Sequence, residues 1–402
     1  MLYRKIRSYI DAHLRSNEDK ILLIEGARQI GKSYIIRDVG TELYDNYVEI
    51  NFVEDDAGDK IFRNVRTTEE FYLNLSMVAG FKLDKYENTL VFIDEIQHYP
   101  QFLTMLKFLR QEHRYRFICS GSLLGIALKK TVSVPVGSII PKKMYQLDFE
   151  EFLIANDFGE DAIVHLRKSF EQKQPLAPEV HDKVLSLFKR YLLVGGMPDA
   201  VNEYLNSHNI VKVREAQESI RELYGVDASR YEEDAAKKLY IRRIYDMIPS
   251  QMENKKKRIV AKDILDRKGD RFSNYMEEFE YLINSGITIA SNAISNPKYP
   301  LAESQQKNLL KLYMNDVGML SSQLYHYNIQ PILNDIAGIN LGSVYESAVA
   351  QELKAHYEKL FYYGNKQKGE VDFPSAIGRL RVAGLGALVN VSPISALDAS
   401  GL

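Results

Sequence analysis

Gly26, Ala27, Arg28, Gln29, Ile30, Gly31, Lys32 and Ser33 spell G-x-x-x-x-G-K-[ST] directly after the apolar run Ile21 to Ile24. The pattern predicts a buried strand, a glycine turn and a helix that Tyr34 continues. The glycines let backbone N–H groups turn inward around anionic oxygens, and the following helix adds its positive end. Lys32 is placed to reach β- and γ-phosphate oxygens, and the Ser33 hydroxyl to ligate Mg²⁺. A second string completes such a site. Leu90 to Glu95 reads LVFIDE. Successive apolar residues suit a strand buried on both faces of a parallel sheet, so Asp94 and Glu95 fall at its carboxyl edge, where ligands bind in open α/β sheets. There Asp94 can hold Mg²⁺ beside Ser33, and Glu95 can orient and deprotonate an attacking water.

Positioning these groups needs an alternating α/β segment, expected from Leu2 to about Ala155. The expected strands are Ile21–Glu25, Tyr47–Phe52, Thr89–Glu95 and Tyr115–Ser120, with a fifth at Lys143–Leu147. Helices are expected over Tyr34–Val39, Glu69–Val78 and Phe102–Arg114, the last with Leu103, Leu106 and Leu109 on one face. From about Asp161 the chain reads as helical. Val184–Leu193 should stop at Gly195-Gly196, with Pro198 starting the next helix. Val211–Tyr224 and Tyr231–Met247 follow, the latter ended by Ile248-Pro249.

Between Lys255 and Met319 the rhythm is a short helix (Val260–Leu265), a longer one (Phe272–Asn284) and two strands (Ile287–Ala290, Leu309–Tyr313). That order is a winged-helix pattern, whose second helix can enter a DNA groove. Glu277, Glu278 and Glu280 on that helix would repel phosphates, which favours a protein-packing wing; the run Lys255-Lys256-Lys257-Arg258 argues the other way. Farther on, Glu370 and Asp372 share one side of an extended segment, and Glu346 lies on the preceding helix. These carboxylates could bind Mg²⁺, or form an ordinary polar strand face.

The chain has 402 residues, 45% of them hydrophobic and 26% charged, the balance of a soluble globular protein of two or three domains. A net charge of -2 predicts no bulk attraction to nucleic acid or to an anionic membrane. No apolar stretch is long enough to span a bilayer, and the amino terminus lacks secretory features, so a cytoplasmic location is expected. The single cysteine, Cys119, excludes an internal disulfide and reads as a packed core thiol. Pro374 to Leu402 differ from the rest: three charged residues and no aromatic in 29 positions. So abrupt a shift is expected of a frameshift, a foreign splice or a truncated gene.

Taken in order, GARQIGKS (Gly26–Ser33), INF (Ile50–Phe52), VFIDEIQ (Val91–Gln97), SGSLLG (Ser120–Gly125), LDFEEFL (Leu147–Leu153), GGMPDAV (Gly195–Val201), KLYMNDVGML (Lys311–Leu320), YESAVAQEL (Tyr345–Leu353) and EVDF (Glu370–Phe373) resemble the bacterial and archaeal AAA-type ATPases that carry a C-terminal domain of unknown function. The resemblance implies an α/β P-loop NTPase sheet of about five strands in residues 1–155, a helical lid or linker in 156–250, and a winged-helix-like region in 251–325. It also implies a truncated PD-(D/E)XK nuclease-like α/β fold in 326–373, followed by the atypical tail 374–402. ATP and Mg²⁺ are the implied ligands, with a DNA or protein partner at the winged region and oligomer formation both open. Ser120 or Ser122 occupies the place of a polar sensor residue, with Ser122 favoured, or stabilises a turn. Two departures matter. Gly137-Ser138 stands where many relatives have Gly-Arg, leaving Arg114, Arg116, Lys129 and Lys142 as candidate fingers. No Glu-x-Lys follows Asp372, so nuclease activity is not expected.

Overall fold

The computed structural model describes residues 2–83, 88–122, 137–231, 234–254, 257–266, 269, 271–334, 341–365 and 369–374. Lys129, Lys255, Lys256 and the tail beyond Pro374 lie outside the described residues. The chain forms two compact units. The first comprises Arg4–Gln146 with Met276–Thr288, and the second Met1–Tyr3, Leu147–Tyr275 and Ile289 onward. The expected boundaries near 155, 250 and 325 do not coincide with this division.

The first unit is built on the parallel strands β1 (Ile21–Glu25), β2 (Asn46–Asn51), β3 (Thr89–Asp94), β4 (Arg116–Gly121) and β5 (Ile139–Lys143) in the order β2-β3-β4-β1-β5. This is the five-stranded α/β sheet expected. All six residues of β3 are buried, as its unbroken apolar run requires. Helices Lys32–Leu43, Thr68–Ala79 and Gln101–Glu112 lie between the strands in sequence. Thr67 and Glu70 form a capping box that starts the second of them. One core cluster brings together Phe52, Phe62, Phe71 and Phe102, with Phe52 and Phe102 ring centroids 4.8 Å apart. Cys119 is buried in that cluster, and burial pushes its thiol up, away from reactivity.

Three local expectations need correction. β2 stops at Asn51, because the Asn51 side chain accepts from Val53 N at 2.9 Å and turns Phe52 into the start of a helix, Phe52–Ala57. β5 runs over Ile139–Lys143, not Lys143–Leu147. Pro141 is accommodated within it because β5 is an edge strand, where a missing N–H is tolerated. Pro249 does not end its helix, which continues from Ala235 to Glu253. Buried Ile248, Gln251 and Met252 hold the turns around the proline, offsetting its lost hydrogen bond.

The second unit is mainly helical, with a four-stranded sheet of β6 (Thr288–Ile294), β7 (Gln305–Met314), β8 (Leu360–Asn365) and β9 (Gly369–Val371) in the order β7-β6-β8-β9. The two expected wing strands, β6 and β7, thus share one sheet with the C-terminal strands. β6 pairs with β8 in parallel, from Ser291 with Leu360 to Ile294 with Tyr363. The second expected wing helix begins as a 3₁₀ turn, Phe272–Tyr275, and its α-helical part, Met276–Asn284, belongs to the first unit. Glu278 on it is buried rather than displayed.

Four of the strings found in the sequence meet in a buried polar cluster of this unit. Asp148 and Glu151 form a capping box on Phe149–Ala155, and Phe149 N donates to Glu352 Oε1 at 2.8 Å. Tyr191 OH donates to Leu147 O at 2.8 Å and accepts from Gln351 Nε2 at 2.7 Å. Helix Pro178–Val194 ends at Gly195, with φ of 74°, and Pro198 starts the next. Asp316 accepts from Gly196 N at 2.6 Å and Met319 N at 3.1 Å. Burial pushes Asp316 up to about 6 against these bonds.

Backbones approach too closely here for side chains. A Cβ on Gly318 would lie 2.4 Å from Val194 O and 2.5 Å from Gly195 N. Gly318→Ala is therefore expected to cost about 1–3 kcal/mol through overpacking. Gly225 lies in helix Ile210–Tyr231 with nothing near its missing Cβ. Gly225→Ala should instead stabilise by about 0.5–1 kcal/mol. Urea unfolding midpoints should move in opposite directions for the two variants.

Candidate functional site

The loop after β1 is bent by Gln29 and Gly31, whose φ angles of 63° and 89° lie in the left-handed region. Helix Lys32–Leu43 starts with no side-chain cap and no acidic residue in its first turn, so its N–H groups face the loop with their partial positive charge. Lys32 is buried, and its Nζ donates to Gly26 O at 3.0 Å and Ala27 O at 2.8 Å, inside the bend. Ile30 is buried, so this position offers a ligand its backbone and not its side chain. Tyr34, 55% exposed, turns outward.

Ser33 Oγ donates to Asp94 Oδ2 at 2.7 Å, which joins the loop to the end of β3. Asp94 Oδ1 accepts from Ser120 Oγ and, at 3.0 Å, from Glu95 N. Glu95 adopts φ 52° and ψ 43°, a left-handed conformation that costs a non-glycine residue energy and turns its carboxylate off the strand. Glu95 Oε2 accepts from Gln97 Nε2 and, at 3.3 Å, from Ser122 Oγ. Gln97 Nε2 also reaches Ser122 Oγ at 3.1 Å. Two serines spaced two apart at the end of β4 thus serve two acids spaced one apart: Ser120 faces Asp94 and Ser122 faces Glu95. Arg28 Nη2 stands 3.9 Å from Glu95 Oε2, with both side chains largely buried.

The two acids are driven apart electrostatically. Burial pushes Asp94 up, with Glu95's charge adding to it, against the hydrogen bonds from Ser120 and Ser33. Burial also acts on Glu95, but Lys32, Arg28, Gln97 and His98 outweigh it and hold this carboxylate below its usual range. Glu95 is thereby kept as a carboxylate, the form a general base needs. The Ser33 hydroxyl and Asp94 carboxylate are hard oxygen donors within 2.7 Å of each other. They fit Mg²⁺, which takes one or two protein oxygens and completes its shell with phosphate and water.

Sequence reasoning missed the residues that fix the loop from outside it. Arg4 is buried and donates to Ile30 O at 2.9 Å and to Tyr145 O. A Cβ on Gly26 would lie 2.4 Å from Met144 O, so the first loop glycine is required by contact with the chain leaving β5. Gly286, with φ of 77°, lies against the loop as well: a Cβ there would come within 3.3 Å of Ala27 N. No local pattern marks these residues, since each acts on a partner distant in sequence. Of the candidate fingers, Arg116 Nη2 donates to His13 O at 3.1 Å and Ser16 O at 3.4 Å, and Arg114 stacks 4.5 Å over the Tyr72 ring. Both stand at the amino end of β4, the wrong end of the sheet. Lys142 Nζ lies 4.4 Å from the Tyr9 ring centroid.

The three C-terminal carboxylates do converge, but on a lysine. Lys311, on β7 and 1% exposed, places Nζ at 3.1 Å from Glu346 Oε1, 2.9 Å from Glu370 Oε1 and 2.7 Å from Asp372 Oδ1. Lys257 Nζ donates to Glu346 Oε2 at 2.6 Å, and Tyr313 OH to Glu346 Oε1 at 2.6 Å. Among the described residues no group of three or more His, Cys, Asp or Glu side chains is arranged to hold a metal ion. Of the two readings of these carboxylates, Mg²⁺ binding or a polar strand face, the ion pairs with Lys311 fit the second. Two basic residues from the expected DNA-facing run are engaged in this unit, Lys257 with Glu346 and Arg258 with the Tyr362 ring at 5.4 Å.

No curated protein matches the chain by sequence. Among solved structures, a Walker-type ATPase of Pyrococcus abyssi is 16% identical, with 80% of this chain and 95% of that one covered at a TM-score of 0.49. Cdc6p from Pyrobaculum aerophilum is 12% identical, with coverage of 83% and 95% and a TM-score of 0.30. The S. cerevisiae Hsp104–ADP complex is 12% identical, with coverage of 71% and 38% and a TM-score of 0.34. Residues 185–327 match a family described as a domain of unknown function. Residues 18–153 match a family described as an AAA domain.

Proposed function

We propose that the chain binds ATP with Mg²⁺ in the cleft between the loop at 26–33 and the ends of β3 and β4, and hydrolyses it. The observation that carries this reading is the 2.7 Å bond from Ser33 to Asp94, which puts phosphate-loop and acidic-strand groups in one place. Loop N–H groups and Lys32 bind the phosphates; Ser33 and Asp94 hold Mg²⁺, which neutralises phosphate charge when bound. Glu95 takes a proton from the attacking water while Ser122 and Gln97 fix its orientation. Nucleotide occupancy then acts as a switch, because the residues holding Glu95 and Asp94 are the ones a γ-phosphate would engage.

In the C-terminal unit, we read the nuclease-like carboxylates as catalytically inert. Lys311 already occupies the point where they converge. The acidic and partly buried helix Met276–Asn284 supports a protein-packing role over insertion into DNA. Among the described residues no helix is long and apolar enough to cross a membrane.

Lys32→Ala should abolish ATP binding detectable by calorimetry. Glu95→Gln should bind ATP at least as well as the parent while phosphate release slows by about 10²–10⁴. Removing Mg²⁺ with EDTA should stop turnover. A parent chain that binds no nucleotide sinks the reading; one that binds ATP but shows no turnover is an ATP-dependent interaction protein instead.

Lys311→Met should destabilise the chain by leaving three carboxylates facing one another. Two of them are about 45% exposed, so screening holds the cost to about 2 kcal/mol, below that of a fully buried pair. The pH dependence has a defined sign for Glu346, the most buried of the three, whereas burial pushes Asp372 up despite Lys311. Burial raises Glu346, but Lys257, Lys311 and Tyr313 outweigh it and hold the group below its ordinary 4.5. Its contribution is therefore present above that pH and lost as pH falls. Repulsion in the variant likewise fades on protonation. The gap between parent and Lys311→Met urea midpoints should shrink from pH 7 to pH 4; a constant gap would show that the cost is packing alone.

A further inference from the structure

We propose that Arg28 supplies, from within the phosphate loop itself, the cation that stabilises the γ-phosphoryl group during hydrolysis. This rests on the ATPase reading above. The other arginines considered from sequence cannot do so in their own chain. Arg116 sits at the amino end of β4, about 16 Å from its carboxyl end at a rise of about 3.3 Å per residue. Arg114 is two residues farther back, stacked on Tyr72. Position 138, where Gly137-Ser138 replaces Gly-Arg, also lies at the amino end of the sheet, since Ile21 N donates to Ser138 O at 3.0 Å. An arginine there would face away from the loop.

Arg28 is at the carboxyl end, in the loop, with its guanidinium 3.9 Å from the proposed general base. Its side chain is 19% exposed, so it meets Glu95 in a place largely screened from water, where charge interactions are strong. A water activated by Glu95 must lie between that carboxylate and the γ-phosphorus. A guanidinium 3.9 Å from that carboxylate lies on the same side of the loop as the reacting water would. In the step, the water oxygen bonds to the γ-phosphorus, its proton passes to Glu95, and the bond from that phosphorus to the β–γ bridging oxygen breaks. The electron pair leaves with ADP. Arg28 acts on the negative charge carried by the transferring group, which its forked donors suit.

The test uses the full chain. Arg28→Ala should lower kcat for ATP by about 10³ or more, with KM changed less than about threefold. By calorimetry, ADP affinity should be kept while the tightening produced by aluminium fluoride is lost. Arg28→Lys should recover at least about tenfold of the lost rate, as a point charge in place of a fork. Mixing Arg28→Ala with Glu95→Gln chains should restore no turnover if the group acts in its own chain. An Arg28→Ala chain as fast as the parent, or faster, overturns the proposal, the latter marking Arg28 as a brake on Glu95. Loss of ADP binding in that variant, or restored turnover on mixing, also overturns it. A parent that neither binds ADP nor turns over ATP removes the ATPase reading itself, an outcome distinct from these.

Discussion

One short contact organises the first unit: the Ser33 hydroxyl on the Asp94 carboxylate, across 61 residues of sequence. It exists because of sheet order. β1 and β3 are not neighbours; β4 lies between them, with Ile24 registered on Ser120 and Ile93 on Cys119. Ser120 therefore stands at the point where the ends of the three strands meet, and its hydroxyl bonds to Asp94 from the other side. A shift of one residue in β4 would turn both Ser120 and Ser122 to the opposite face. The buried apolar runs of β3 and β4 resist such a shift. In this way the packing of side chains remote from the cleft determines which oxygens meet within it.

The site was legible in sequence as far as its groups are local. A glycine-bounded loop after a strand and two acids ending an apolar run each carry their geometry in a few consecutive residues. Ser120 and Ser122 could be placed at a strand end, but only the paired strands show which serine faces which acid. Arg4, Met144 and Gly286 could not be read at all, since each acts on the loop from a distant segment through a backbone contact. The misplaced fifth strand has a related cause. Met144 and Leu147 are buried, as their apolarity predicts, but in the chain leaving the sheet rather than in the strand. Burial and secondary structure are separate properties, and an apolar residue reports the first.

The strings of the second unit read differently once folded. Tyr191, Gly196, Asp316, Gln351 and Glu352 satisfy polar groups of one another and of neighbouring backbone where segments cross. Such a cluster looks like chemistry in sequence, because it concentrates acids, amides and glycines in short motifs. Its fully buried members are instead tied to backbone N–H and C=O groups that burial would otherwise leave unpaired. Asp316 shows the cost: burial lifts it to about 6 even while it accepts backbone donors from two segments.

Both units set a lysine among acceptors, and the acceptors decide what each lysine can do. Lys311 has three carboxylates within 3.1 Å and sits inside β7, held by the strand on either side of it. An incoming anion would have to displace full charges, and an incoming cation would have to displace the ammonium. Lys32 donates to the neutral carbonyls of Gly26 and Ala27. Charge-assisted bonds are about twice as strong as bonds to neutral acceptors. A phosphate oxygen, if bound as proposed, would compete with neutral carbonyls for the Lys32 ammonium, whereas at Lys311 it would compete with carboxylates. Similar charges thus sit in different settings: Lys32 is hydrogen-bonded to two carbonyls with the charge of Glu95 nearby, and Lys311 is paired directly with three carboxylates.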